Sequence, residues 1–209
     1  AKTGKGQKVE TALLRTAVNI TNGHLIEQAM LDLNRVATLN RGFTAGPSDT
    51  FKCKDGWIYA MTIGQPLFVR WCRLMGDESL ASDPRFKDDL ARGDNGEALS
   101  EIMQKWCDTR TVAEALAALE ANRIPAGAVY TPQQALDDRH IQDAAFLHPM
   151  EFPGASKPIP VLQEPVKLSR TPLTIRRRAP TLGEHTDQIL QELGYDPAAI
   201  QKLRADRVV

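Results

Sequence analysis

Apolar residues recur through the first forty positions at intervals of three to five, as Val9, Leu13, Leu14, Val18, Leu25, Ile26, Met30 and Leu33. That spacing predicts helix, with Asn22-Gly23 as an interruption. From Leu39 to Ser48 the period disappears. The run Asn40-Arg41-Gly42-Phe43-Thr44-Ala45-Gly46-Pro47-Ser48 carries two glycines and a proline, and predicts a loop or linker at a domain boundary. Strand-forming residues then flank Asp55-Gly56, from Thr50 to Lys54 and from Trp57 to Met61. They predict a hairpin closed by a two-residue turn, for which Asp-Gly supplies the positive φ angles. Pro66 suits a first helical position, and Phe68, Val69, Cys72 and Leu74 form an apolar stripe that ends at Gly76.

Asp83-Pro84-Arg85-Phe86 reads as a turn, and Leu99, Ile102, Met103 and Trp106 mark an amphipathic helix. Thr111 with Glu114 three residues on predicts a capping box, ahead of a helix whose Val112, Ala115, Leu116 and Leu119 face inward and which Pro125 ends. Ala128-Val129-Tyr130 reads as a short buried strand, and Thr131-Pro132 opens a helical stretch through Leu136. Between Pro149 and Pro180 the chain is proline-punctuated, with strand-like pieces at 159–162 and 166–169. Two helices close it, from Gly183 to Leu193 with Gly194 as a stop, and from Pro197 to Arg204 behind an Asp196 cap. A helix, a small α+β unit and a strand-and-helix tail fit a domain inserted within an α/β domain.

The 209 residues suffice for one or two domains with a core of their own. Lys and Arg number 26, as do Asp and Glu, so the formal charge is zero. That balance removes the electrostatic basis for non-specific nucleic-acid or anionic-membrane binding, and the longest apolar runs fall short of the ~18 residues of a membrane span. Ala1-Lys2-Thr3-Gly4-Lys5-Gly6-Gln7 has neither an initiator Met nor an apolar signal-type stretch, which predicts an end made by processing or truncation. Cys53, Cys72 and Cys107 lie far apart and predict reduced thiols in a cytoplasmic compartment.

Candidate chemistry is sparse. Thr3-Gly4-Lys5-Gly6-Gln7-Lys8 lacks the Gly-Lys-Ser/Thr ending and the preceding strand of a phosphate loop, and reads as a basic turn leading into a helix. His24, His140, His148 and His185 have no partner at metal-ligand spacing, so no metal site is expected. Glu184-His185 at a helix start suits the positive end of the dipole. The run Arg176-Arg177-Arg178 could hold a phosphate or carboxylate, but within a proline-bounded loop of a neutral chain it reads as solvated surface. Residue types and spacing lead to a mixed α/β protein and no further.

Taken in order, the local signatures resemble one family. Thr3-Gly4-Lys5-Gly6-Gln7 is followed by Lys54-Asp55-Gly56, Asp83-Pro84-Arg85-Phe86 and Ile124-Pro125-Ala126-Gly127-Ala128-Val129. The tail adds Ala179-Pro180-Thr181-Leu182-Gly183-Glu184-His185-Thr186 and Leu193-Gly194-Tyr195, and the chain ends in Val208-Val209. This string is similar to the class III coenzyme A transferases, the CaiB/BaiF group, which includes formyl-CoA and carnitine CoA-transferases, L-carnitine dehydratase-like proteins and α-methylacyl-CoA racemases. The resemblance implies an α/β fold. This chain would be the C-terminal half of a split Rossmann-like large domain carrying an inserted small α+β domain, in a family of interlocked dimers. Residues 1–47 would be the large domain's helix and linker, 48–125 the small domain, and 126–209 the return to the large domain.

The resemblance also implies substrates and roles. Coenzyme A enters as acyl-CoA, a carboxylic acid accepts it, and the partner is a second copy or an N-terminal half. Family transferases attack the thioester with an aspartate that the resemblance places upstream of Ala1. None of Asp32, Asp49 or Asp55 stands in its context, so no catalytic residue is expected in this chain. Two places are candidates for substrate binding. One is the loop holding Gly42, Thr44 and Gly46, where some relatives carry a glycine-rich gate and where a plain linker is the alternative. The other is Gln65, at the position of the racemases' proton-moving glutamate. A carboxamide has no useful basicity near neutral pH, so Gln65 speaks against racemase chemistry. It either hydrogen-bonds an acyl or carboxylate group or is a helix-start residue facing solvent. A non-catalytic scaffold fragment is the third reading.

Overall fold

Helices α1 (Leu13–Ile20) and α2 (Asn22–Leu31) form where the apolar spacing predicts them, and they part at Thr21, just ahead of Asn22-Gly23. The computed structural model describes residues 4–209, so Ala1, Lys2 and Thr3, with the start of the Thr3-to-Gln7 motif, lie outside the described residues. Neither helix buries a residue, and Leu13 and Leu14 stand 92% and 75% exposed. Their apolar stripe faces solvent. Behind them Arg35 grips Glu27 with two hydrogen bonds of 3.0 and 3.2 Å and lies 5.4 Å from the Phe43 ring. Backbone proximity divides the chain into residues up to Val129 and residues from Tyr130 onward.

In the first unit, β1 (Ser48–Lys52) and β2 (Trp57–Met61) pair antiparallel from Ser48↔Met61 to Lys52↔Trp57. Beyond them stand α3 (Gln65–Met75), α4 (Asp89–Asp94), α5 (Gly96–Asp108) and α6 (Val112–Ala121), with two short 3₁₀ turns between α3 and α4. The hairpin is where the sequence predicts it, but its turn is not of the predicted kind. The register leaves residues 53–56 as the connection, and neither Asp55 nor Gly56 has a positive φ. Neighbouring groups hold the loop instead. Cys53 N–H donates to the Gly56 carbonyl at 2.8 Å, Lys54 N–H to the Arg110 carbonyl at 2.9 Å, and the Asp55 carboxylate accepts Val112 N–H at 2.7 Å. The hairpin tip therefore caps α6. Gly56 packs closely here, since a Cβ on it would stand 3.1 Å from a Val112 methyl and that side chain would have to give by a few tenths of an ångström.

The capping box forms as predicted, with Glu114 N–H donating to Thr111 Oγ1 at 3.2 Å and Thr111 N–H to Glu114 Oε2 at 2.8 Å. Strand β3 (Ala126–Ala128) pairs with the other edge of β2, giving the order β1-β2-β3. It lies two residues earlier than predicted and is mostly exposed, because it forms the sheet's edge. The core comprises Phe51 and Ile58 of the sheet, Phe68 and Trp71 of α3, Leu99, Met103 and Cys107 of α5, and Ala115 and Leu119 of α6. Phe68 and Trp71 stack with ring centres 5.7 Å apart, and Trp71 Nε1 donates to Met103 Sδ at 3.3 Å. Each large apolar side chain buried here contributes roughly 1.5–3 kcal/mol.

The second unit holds α7 (Pro132–Asp137), α8 (Arg139–Asp143), the hairpin β4 (Leu147–Met150) with β5 (Ile159–Leu162), α9 (Thr186–Glu192) and α10 (Pro197–Ala205). Residues 166–169, predicted as strand, have no regular structure, and the helix predicted from Gly183 begins at Thr186. Gly194, at φ 90°, ends α9 as expected, and Asp196 accepts Ala199 N–H at 2.7 Å to cap α10. Among the described residues, no helix is long and apolar enough to cross a membrane.

All three cysteines are free and buried in the first unit's core. Burial pushes the Cys53 thiol up, Cys72 up to about 11 and Cys107 up to about 12, so little thiolate exists to react. A disulfide reagent applied at pH 8 is expected to leave the native chain unlabelled and to modify all three thiols once denaturant is added. Labelling of Cys72 or Cys107 in the native state would contradict this core.

Candidate functional site

The two segments singled out in the sequence meet at one buried side chain. Arg92, on α4, is 1% exposed. Its Nη1 donates to Gln65 Oε1 at 2.8 Å and to the Phe86 carbonyl at 2.9 Å, and its Nη2 donates to Asp89 Oδ1 at 2.5 Å. The guanidinium carbon lies 4.6 Å from the centre of the Phe68 ring. Gly64, at φ 83°, precedes α3 and sends its N–H to both oxygens of Asp89 at 2.9 and 3.0 Å. Burial favours the neutral acid at Asp89, but Arg92 and the Gly64 N–H outweigh it and hold the carboxyl below its usual range.

The 41–48 loop closes on the same group. Gly46 is buried, and a Cβ on it would come within 2.7 Å of the Arg92 carbonyl and 3.0 Å of Leu99. A Cβ on Gly93 would collide with the Phe43 carbonyl. Gly42 donates to the Ser48 carbonyl at 2.7 Å and could not carry a Cβ without meeting Ser48 Oγ at 2.7 Å. Thr62 seals the far end, since its N–H and its hydroxyl both donate to the Pro47 carbonyl at 2.9 and 3.1 Å. Thr44 is exposed and makes no side-chain hydrogen bond among the described residues. The structure thus brings Gly46 and Gln65 together through Arg92, puts Gly42 on Ser48, and leaves Thr44 in solvent.

Gln65 is the first residue of α3 and is exposed. Its oxygen is engaged by Arg92 and its amide nitrogen takes no partner among the described residues. Arg92 and Asp89 escaped the sequence analysis because α4 has no apolar period. Their one trace was the charge pair three residues apart, which ordinarily marks nothing more than an exposed helix face.

A separate groove of about 600 Å³ lies between residues 37–41, β1 and α5, with Arg41, Asp49, Glu97 and Glu101 among its walls. Its excess of carboxylates suits it poorly to an anion. In the second unit, the arginine run is partly spent. Arg178 holds both oxygens of Glu184 at 2.8 and 2.9 Å, and Glu184 also accepts Thr181 N–H at 2.8 Å. Those bonds, Arg178 first, bring the Glu184 carboxyl down to about 2. Glu184 closes a turn there. Among the described residues, no group of three or more His, Cys, Asp or Glu could hold a metal.

Comparison with known proteins gives the site a setting. The family model for CoA-transferase family III matches residues 1–186. The chain is 30% identical, over its whole length, to the succinyl-CoA–L-malate CoA-transferase beta subunit of Chloroflexus aurantiacus, of which it covers 52%. It is 27% identical over 96% of its length to the formyl-CoA:oxalate CoA-transferase of Rhodopseudomonas palustris, again covering 52%. The chain spans about half the length of the curated relatives it matches. Among solved structures, a CAIB/BAIF family protein from Brucella suis superposes with a TM-score of 0.69 at 25% identity, over 92% of this chain and 49% of that one. The Mycobacterium tuberculosis protein Rv3272 shares the fold, with a TM-score of 0.66 at 22% identity over 89% of this chain and 48% of that one.

Replacing Asp89 with Asn would leave Arg92 buried without its counter-ion. We expect chemical denaturation at neutral pH to show a loss of about 2–3 kcal/mol, less than the ~3–5 of a fully buried pair because Asp89 is one-third exposed. The folded-state pKa lies below 3.8, so this stability is present above that value and is lost as pH falls through the folded pKa. The gap between Asp89→Asn and the wild type should therefore narrow below pH 3.8. A gap that stays constant into acid would show that the carboxylate's charge is not what holds Arg92.

Proposed function

Because the chain belongs to CoA-transferase family III, an enzyme family of CoA-transferase type, we propose that it is the C-terminal portion of an acyl-CoA:carboxylate CoA-transferase. The relatives named as succinyl- and formyl-CoA transferases support an acyl-CoA donor and a free carboxylic acid acceptor. The coverage of about half of each relative supports a second polypeptide segment that completes the enzyme. That segment supplies the nucleophile, an aspartate. Its carboxylate attacks the thioester carbonyl and releases CoA thiolate, leaving a mixed anhydride. The thiolate then attacks the aspartyl carbon and expels the first acid, giving an enzyme-bound CoA thioester. The acceptor carboxylate repeats the sequence in reverse. Covalent catalysis of this kind divides one difficult exchange into easier steps.

The observation that carries the transferase reading over a racemase on the same fold is Gln65. It is an amide, already hydrogen-bonded through its oxygen, and has no basicity with which to take an α-proton. On this reading Gln65 and Thr44 face substrate, and Gly42 and Gly46 let their loop lie close to β1 and α4. The apolar stripe of α1 favours a large partner surface, since Leu13 and Leu14 are almost fully exposed in this chain by itself. We assign that surface to the N-terminal half, within a split Rossmann-like domain and an interlocked dimer that works in the cytoplasm.

The test is to incubate acyl-CoA and hydroxylamine with the chain alone and with the chain mixed with an N-terminal-half polypeptide. Thioester loss above the protein-free rate, which hydroxylamine itself sets, is expected only in the mixture. Loss with the chain alone would place the nucleophile here, and no loss in a mixture that has formed a complex would remove the enzymatic reading.

A further inference from the structure

A neutral carboxamide offers an acceptor oxygen at one end and two N–H donors at the other, and a free one can present either to a ligand. Gln65 is not free to turn. Arg92 Nη1 stands 2.8 Å from Gln65 Oε1, and a guanidinium has donors but no acceptor. Turning the amide over would set N–H against N–H beside a buried cation. Arg92 cannot retreat either, because it is held by the Phe86 carbonyl, the Asp89 carboxylate and the Phe68 ring. Gln65 is an exposed residue, and its amide nitrogen has both donors unused among the described residues. A hydrogen bond from a cation to the carbonyl oxygen also polarises the amide and strengthens those donors.

We infer that Arg92 is a positioning residue that commits Gln65 to donate, and that the group Gln65 receives is the carboxylate of the acceptor acid. This rests on the transferase reading above and adds to it the residue that selects the second substrate. A carboxylate is all acceptor at neutral pH and matches two parallel N–H donors, whereas an ammonium or other pure donor finds nothing at this end of Gln65.

Gln65→Glu separates this role from a structural one. The substitution keeps an oxygen for Arg92 and removes both donors, so the protein should fold with an unchanged or raised melting temperature. In the complex with the N-terminal half, the KM for the acceptor acid should rise about ten- to hundredfold, with kcat and the KM for acyl-CoA little changed. Arg92→Lys should shift the acceptor KM in the same direction, and Arg92→Lys with Gln65→Glu should be no worse than Gln65→Glu, since Arg92 acts through Gln65. A purely structural Arg92 would instead lower kcat as much as it raises the acceptor KM and would add to Gln65→Glu; a lower melting temperature by itself decides nothing, since any Arg92 variant loses the Asp89 and Phe86 contacts. Turnover is not required for the second readout, which is the side-chain amide ¹⁵N–¹H pair of Gln65 followed by NMR during a succinate titration of the wild-type complex. The pair is expected to shift and saturate. An unmoved pair, or an unaltered acceptor KM in Gln65→Glu, overturns the inference. A shifting pair in a complex without turnover would uphold it and count only against the transferase reading.

Discussion

A guanidinium withdrawn from water is costly unless its charge is answered and most of its N–H groups are taken up; at Arg92 both Nη groups are engaged, while Nε stays buried without a hydrogen-bond partner. At Arg92 that requirement draws the first unit's irregular segments to one point. Asp89 answers the charge from one turn away on α4, Phe86 gives a carbonyl from the 3₁₀ turn, and Gln65 gives one from the start of α3. Asp89 in turn holds the Gly64 N–H, so the turn between β2 and α3 is tied to α4 as well. The backbone around Arg92 carries equal weight. The 43–46 loop lies directly on the carbonyl of Arg92 and on Gly93, an approach that side chains at positions 46 or 93 would prevent. Segments with no apolar period acquire a defined path because one buried cation must be satisfied.

The regular elements were legible because each carries its own local signal. The α1 and α2 stripes, Thr111 with Glu114, Pro66 with Gly76, and Asp196 ahead of Pro197 all act within one or two turns of chain. The Asp55-Gly56 hairpin was legible as a hairpin but not as a turn. Its tip is set by Arg110 and Val112, more than fifty residues on, and a long-range bond overrode the local turn preference. Strand β3 slipped by two residues for a related reason, since its register follows Ile58, Tyr59 and Ala60 rather than its own composition. Helix α4 left almost no trace. It is six residues long and its one fully buried residue is an arginine, which a search for apolar periodicity passes over.

The candidate site followed the same division. Gln65 could be picked out only through the family resemblance, which sets this carboxamide at the position of the racemases' glutamate. The partner that orients it lies twenty-seven residues away and could be found only once the chain was folded. The family relationship and the physical reading meet here. The family model places the chain in CoA-transferase family III, and the hydrogen bonding shows that the oxygen of Gln65 is held by Arg92. The apolar stripe of α1 is exposed in this chain, with Leu13 and Leu14 among its residues.

The dependence of these segments on Arg92 is most directly tested by native-state amide hydrogen exchange of Arg92→Met, a change close in volume that removes the charge and the donors. Protection of the Gly64 and Phe86 amides should fall sharply, because Asp89 loses the partner that fixes it and the 3₁₀ turn loses its carbonyl bond. Protection along the β1–β2 ladder, at Phe51 and Ile58, should be retained. Equal loss at all of these amides, or no loss at Gly64, would contradict the view that this one buried cation organises the loop and the start of α3.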